Sequence, residues 1–456
     1  MAEPRAAADV PVTDLAAYQD AVRLVLTSDL ITAIHPRPGV LDRVLPWADQ
    51  LTRDLHDLFG YTLIATTRHV RLIRRLDGLN PSRGKVFTTK AGKPFDRRRL
   101  AYLCLILGSF QRSRVEISLA DLVRQFGPVA NTIEGLGFDP LVPGHKAAVV
   151  DVLGWLVERG AMSLSDGSVE AWTRGGGGDA LYDIDHDICS MIFRPARPVQ
   201  HLTSSAALLE YVYEGNPDAA FENAAERRAR RLLLEQPVVY YADVDAETAA
   251  VLRRDDVAEN LARLTGLVVE RRAEGVMLAD PSGKFTDRPF PGRGGAVNRA
   301  AGLLLGKIAD LLEDPGALRR VEAPTEAERQ RDLITRIDSA LPEGGVVHDL
   351  AWSPAERAPA PRREPELLAL VERHRLEELI GELYERFGAA SFTGTWQQDP
   401  HGLLDAAVVL LAELRLVRPV PGGVLVLPAA LRYRNITLAI PAPPKGQLDL
   451  FDGDTK

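Results

Sequence analysis

The stretch LYDIDHDICSMIF, Leu181 to Phe193, brings together Asp183, Asp185, His186, Asp187 and Cys189. Carboxylates beside a histidine are donors that hold Mg²⁺, Mn²⁺ or Zn²⁺, so a metal-dependent enzyme is one reading. The same residues fit a helix start. Asp183 or Asp185 suits an N-cap, acids in a first turn complement the helix dipole, and Ile188, Met191 and Ile192 recur as a buried face. We read the stretch as a capped helix and expect no metal site. The other histidines form no ligand pair, and Cys104 and Cys189 supply neither a disulfide framework nor a four-cysteine zinc site. No GxxxxGK followed by Ser or Thr occurs, and PSGKF at Pro281 lacks that spacing. The run Gly175–Gly178 follows no buried strand, and HExxH and GxSxG are missing. The expectation is a non-enzymatic chain without a cofactor.

Binding chemistry is better represented. From Arg68 to Arg114 thirteen arginines and lysines face only Asp77 and Asp96, a local net charge of +11 in a chain whose total is −8. Arg97, Arg98 and Arg99 fall in the first turn of a helix expected to start after Asp96, where cations oppose the macrodipole and an anionic partner would offset the cost. Period-two alternation in HVRLIRR places Arg71 and Arg75 on one strand face. The glycine-punctuated loop NPSRGKVFTTKAGKPF carries Arg83, Lys85, Lys90 and Lys93. A flexible basic loop beside basic elements suits sequence-independent contact with duplex DNA through its phosphates. An acidic protein partner and a solvated face are the other readings.

At the far end, Gln447–Phe451 reads QLDLF. It is similar to the pentapeptide by which many bacterial proteins bind the replicative sliding clamp. Leu450 and Phe451 would fill an apolar pocket, Gln447 would bond at its edge, and Leu448 would sit in a side groove. Pro441 to Gly446 would act as an extended tether. Docking on the chain's own complex, or no role, are the alternatives.

These residues are carried by recurring helix-then-hairpin units. The first has a helix near Asp42 to Phe59, closed by Gly60, then strands Tyr61–Thr67 and His69–Arg75. The second has a helix from Asp96 to about Arg112, buried nearly all round, with Phe95 stapled to Leu100. A helix from Ser118 stops near Gly127-Pro128, another spans His145–Arg159, and a hairpin turns at Asp166-Gly167. The third has a helix Glu222–Leu234, a strand Pro237–Val244, a helix Ala246–Leu264 and a hairpin Leu267–Asp280. The fourth has helices Pro365–Phe387 and Gly402–Leu414 and a hairpin Arg415–Pro428. The fold class expected is mainly α with short β-hairpins (α+β), in tandem winged-helix units. The boundaries are an N-terminal helical or weak winged-helix unit 1–78, winged-helix units 79–175 and 176–285, a helical connector 286–345, a C-terminal winged-helix unit 346–440 and a mobile tail 441–456.

Composition agrees with a folded chain: 46% hydrophobic and 26% charged residues exclude disorder throughout. No apolar run approaches the roughly 20 residues of a membrane span. MAEPRAAADV lacks a basic-then-apolar leader, so a cytoplasmic location is expected.

Five stretches together carry a family resemblance. They are FDRRRLAYLCLIL at Phe95, the Asp166-Gly167 turn, LYDID at Leu181, LLLEQPVVYYADV at Leu232 and LPAALRYR at Leu427. Over roughly Leu15 to Ile440 the chain resembles the B subunit of Wadjet-type bacterial anti-plasmid systems, the kite or MukE-like protein of an SMC complex. The resemblance implies tandem winged helices, a homodimer, and binding to a kleisin-like subunit. It also implies assembly with an SMC-type ATPase and a Toprim-like nuclease subunit that together sense and cleave circular plasmid DNA on the nucleoid. The chemistry would then belong to partners. A free-standing winged-helix DNA-binding regulator is the alternative and would need an exposed recognition helix.

Overall fold

The computed structural model describes residues 5–28, 30–79, 87–110, 115–169, 172, 179–194, 204–209, 224–286, 289–291, 295–314, 316–340, 366–392, 396 and 398–436. The fold is mixed α+β, with helices grouped around small antiparallel sheets of three or four strands. Two compact units divide the chain. The larger comprises Met1–Arg271, Val276–Pro281 and Glu326–Pro361, and the smaller Arg272–Gly275, Ser282–Thr325 and Arg362–Lys456.

In the larger unit one order of elements occurs three times. It first runs α1 (Leu15–Ser28), β1 (Leu30–Thr32), α2 (Val40–Val44), α3 (Ala48–Phe59), β2 (Thr62–Ala65) and β3 (His69–Ile73). The second run is α4 (Arg97–Phe110), β4 (Glu116–Ser118), α5 (Leu119–Thr132), α6 (Pro143–Glu158), β5 (Met162–Gly167) and β6 (Ala180–Ile184), followed by α7 (His186–Ile192). The third is α8 (Ala224–Glu235), β7 (Val239–Tyr240), α9 (Ala246–Leu252), α10 (Asp255–Thr265), β8 (Val268–Arg271) and β9 (Gly275–Ala279). Each sheet sets its last strand in the middle: β1-β3-β2, β4-β6-β5 and β7-β9-β8. The smaller unit holds α11 (Gly295–Glu313) and β10 (Arg320–Ala323). After α12 (Glu326–Asp338), which belongs to the larger unit, come β11 (Glu366–Glu372), α13 (Arg373–Ser391), α14 (Pro400–Glu413), β12 (Val417–Val420) and β13 (Gly423–Val426). Its sheet, β10-β11-β13-β12, repeats the pattern with one strand added at the edge.

Locally encoded ends form as expected. Gly60 closes α3 in the left-handed region (φ 68°), and Ser118 caps α5 by accepting from the Asp121 N–H. Departures arise where distant residues intervene. The helix α5 runs through Pro128 to Thr132, because Phe126 and Ala130 are buried and the Phe126 and Phe138 rings meet at 4.8 Å. Asp166-Gly167 does not close a tight hairpin, since β5 pairs with β6 beyond it. Phe95 turns to Trp155 (6.4 Å between centroids) while Leu100 stays 38% exposed and Cys104 is exposed, so α4 is not buried all round. The helix expected over Ala246–Leu264 breaks at Arg254, whose backbone is extended. ELLALVE, expected to be helical, is the strand β11: Leu368–Val371 are buried in a strand paired on both sides, so its apolar run is continuous. Within the segment expected as a connector, α11 buries Ala300, Ala301, Leu304 and Leu305 against α13 and α14.

Candidate nucleic-acid interface

The basic strip divides into cations used by the fold and cations left to solvent. Arg74 donates to Glu235 (2.8 Å) and to the Leu26 carbonyl. Arg98 donates to the carbonyls of Leu136 and Gly137 (3.0 Å for the latter), and Arg99 bridges Asp151 (2.8 Å) and Asp96 (2.6 Å). These carboxylates and carbonyls offset the cost of cations in a helix first turn. Asp96 also caps α4, accepting from the Arg99 N–H at 2.9 Å. Arg71 and Arg75 are half-buried and interact within the chain. Of the residues expected to touch DNA, these four are therefore structural or shielded.

Lys90, Lys93 and Arg97 are exposed. The two lysines sit on a short tongue, Phe87 to Phe95. It is closed by Thr89 N–H to Lys93 carbonyl and Phe95 N–H to Phe87 carbonyl bonds (both 2.8 Å), and it turns at Gly92 with φ 77°. Phe87 stacks on Trp155 of α6 at 5.3 Å and anchors its base. Arg97 follows at the start of α4, where the helix dipole adds positive potential. Two cations on a braced tongue and a third at the adjoining helix start suit phosphate contact. Arg83 and Lys85 of the same loop lie outside the described residues, as do Gln447, Leu448, Leu450 and Phe451.

The helices in the position that precedes each hairpin differ in what they leave exposed, and α3 keeps Thr52, Arg53, His56 and Asp57 at the surface. In the larger unit, α3 packs on α8 and α10 packs on α1. The exposed side of α6 shows Gly144, Ala147 and Gly154, and that of α14 shows His401, Asp405 and Val409.

The carboxylate-rich stretch does local work. Asp185 caps α7, accepting from the Ile188 N–H at 3.1 Å, and Asp183 lies within β6. Arg68, whose partner the sequence did not disclose, leaves the β2–β3 turn to pair with Asp185 and with Asp187 (3.2 Å). Together with Asp183, Ser163 and His186 they line a concavity of about 320 Å³. Among the described residues no three His, Cys, Asp or Glu side chains are placed to hold a metal ion. Cys189 is buried, and burial pushes its thiol up to about 12, a poor nucleophile. Among the described residues no helix is long and apolar enough to cross a membrane.

Comparison with known families adds one finding. A family model described as "Protein of unknown function (DUF2398)" matches residues 22–435. The chain belongs to this family. The match takes in all four sheets and the basic tongue, so the family is defined over the repeated units as a whole. No curated protein and no solved structure matches the chain.

Proposed function

We propose that the chain is a non-catalytic, tandem winged-helix subunit of a bacterial SMC-type complex, of the kite class in Wadjet-type defence against circular plasmid DNA. The observation that carries this reading is the repeated strand order. Three sheets have first-third-second pairing within a helix–strand–helix–helix–strand–strand sequence, and the fourth has it with an added edge strand. That is the order of a winged helix, in which the last two strands form the wing. The chain binds a kleisin-like subunit in the cytoplasm, on the nucleoid, while an SMC-type ATPase and a Toprim-like nuclease supply the chemistry. Lys90, Lys93 and Arg97 add sequence-independent contact with duplex DNA. A sequence-specific regulator is less well supported, because α3 and α10 each pack one face on another helix and α6 exposes mainly small side chains.

Co-purification with the products of neighbouring genes, followed by plasmid-transformation assays, tests the reading. A stable complex containing an SMC-type ATPase, and loss of plasmid exclusion when this chain is deleted, are expected. Recovery of the chain alone, with unchanged plasmid exclusion on deletion, would overturn it.

A further inference from the structure

The contacts between the first and third units of the larger body are reciprocal. From α1, Gln19 donates to the Arg263 carbonyl (2.9 Å) and Arg23 to the Thr265 carbonyl (2.7 Å), at the end of α10. From α8, Arg227 donates to the Asp57 carbonyl (3.1 Å) and Arg231 to the Phe59 carbonyl (2.8 Å), at the end of α3. Each pair of donors stands four residues apart on the first helix of its unit. In each case the acceptors lie three residues and one residue before the glycine that closes the target helix. Those glycines are Gly60 and Gly266, with φ 68° and 70°.

A third correspondence lies between the two target helices. Asp54 and Asn260, each six residues before its glycine, accept the N–H groups of Ala7 (2.8 Å) and Ala6 (2.9 Å). The segment at Ala6-Ala7, fully buried, thus spans the place where α3 and α10 are related. Exchanging the two units leaves this pattern of donors and acceptors unchanged. Such self-complementary contact is the signature of a two-fold dimer. The physical gain is the same on both sides: the last carbonyls of a helix lack intrahelical donors, and a cation beside them complements the dipole. The halves are alike but not identical. On one side Asp77 also grips Arg231, with both bonds at 2.6 Å.

We propose that the first and third units are an intramolecular counterpart of a homodimer, so that one chain supplies both halves of a two-fold pair and uses this surface on itself. The homodimer implied by the family resemblance is then met within a single chain, and a partner that grips the pair binds once per chain. The inference goes beyond the functional reading and does not need it, because the capping geometry stands whatever the units bind.

The test uses the full-length protein with a protease site placed between residues 210 and 222. The uncut protein is expected to have the mass of one 49.9 kDa chain, and after cutting the two fragments are expected to elute together. Arg23→Glu with Arg231→Glu should let the cut fragments separate. Gln19→Arg, which copies Arg227 at the matching position, should keep them together. A wild-type dimer that reverts to monomer on Arg23→Glu would overturn the proposal, because the caps would be exchanged between chains. So would wild-type fragments that part on cutting, or charge-reversed fragments that stay together. The wild-type arms decide the matter even where a charge-reversed variant fails to fold.

Discussion

Arg68 in the β2–β3 turn of the first unit pairs with Asp185, the N-cap of α7 in the second, and so joins a hairpin tip to a helix start. The two partners have unequal weight in stability. The Arg68 side chain is 60% exposed, and an exposed ion pair contributes about 0–1 kcal/mol. Loss of an N-cap costs about 0.5–2 kcal/mol. Arg68→Ala should therefore barely change the urea midpoint, whereas Asp185→Ala should lower it clearly. Equal losses would mean that the ion pair, and not the cap, is the main contribution. Neither variant should abolish an activity of the assembled complex.

The tongue makes a separable prediction. Charge reversal of Lys90, Lys93 and Arg97 together should make the log–log salt slope of duplex binding less negative by about 2–3, at ~0.9 per phosphate contact. Arg98→Ala should leave that slope in place and destabilise the fold by about 1–3 kcal/mol, because the Leu136 carbonyl loses its Arg98 donor while the Gly137 carbonyl keeps only the Tyr102 hydroxyl (2.7 Å). A slope unmoved by the triple reversal would assign the tongue to a protein partner or to solvent.

The division between those two sets of arginines shows what a sequence can and cannot disclose. Gly60, Gly266, Ser118 and Asp185 act within a few residues of themselves, and their roles follow from residue type and position. Arg98 and Arg99 are identical by type to Arg97, yet their partners Leu136, Gly137 and Asp151 lie 38, 39 and 52 residues away. No local pattern separates them. The same distance rule explains β11: its apolar run suits a helix or a strand equally, and only β10 and β13 on either side decide. Repetition of helix-then-hairpin units was legible, whereas the reciprocal packing of the first and third was not, because Gln19, Arg23, Arg227 and Arg231 resemble ordinary surface residues in isolation.

Acid should weaken the fold through His35. Burial, with Arg159 nearby, lowers its folded pKa to about 4 from the usual 6.5. Between those values the unfolded chain takes up a proton that the folded chain refuses, so stability is full above about pH 6.5 and falls as pH drops toward 4. His69 is shifted in the same direction by burial. Thermal melting from pH 7 to pH 4 should show a falling midpoint, and His35→Asn should flatten part of that fall. An unchanged pH slope in the variant would remove His35 from the account.

Asp54 is shifted the opposite way. Burial raises its carboxyl, although Tyr18 (2.6 Å), Ala7 and Gln50 (2.9 Å) all donate to it. A raised carboxyl favours the folded state at low pH and does so less as pH rises through its folded value. Asp54→Ala would leave three donors without a partner, so a loss of about 3 kcal/mol or more is expected in urea unfolding. A loss under about 1 kcal/mol would show that water or repacking replaces the carboxylate.

For the QLDLF segment, a synthetic peptide of the last sixteen residues should bind purified sliding clamp at micromolar affinity, and Leu450→Ala with Phe451→Ala should abolish binding. No binding by the unaltered peptide, or equal binding by both, ends that proposal.

The buried Ala6-Ala7 segment also sets a timetable for synthesis. The Ala6 N–H finds its acceptor in Asn260, 254 residues later. At roughly 5–20 residues per second of translation, the wait is on the order of 13 to 50 s. During that time the first unit is outside the ribosome with α3 not yet packed on α8 and the Ala6 N–H without Asn260. The nascent chain therefore carries an unfinished, self-complementary surface, and neighbouring ribosomes on one message would bring several such surfaces close together. Completing the third unit on the same chain covers that surface, so slower elongation across residues 60–266 lengthens its exposure.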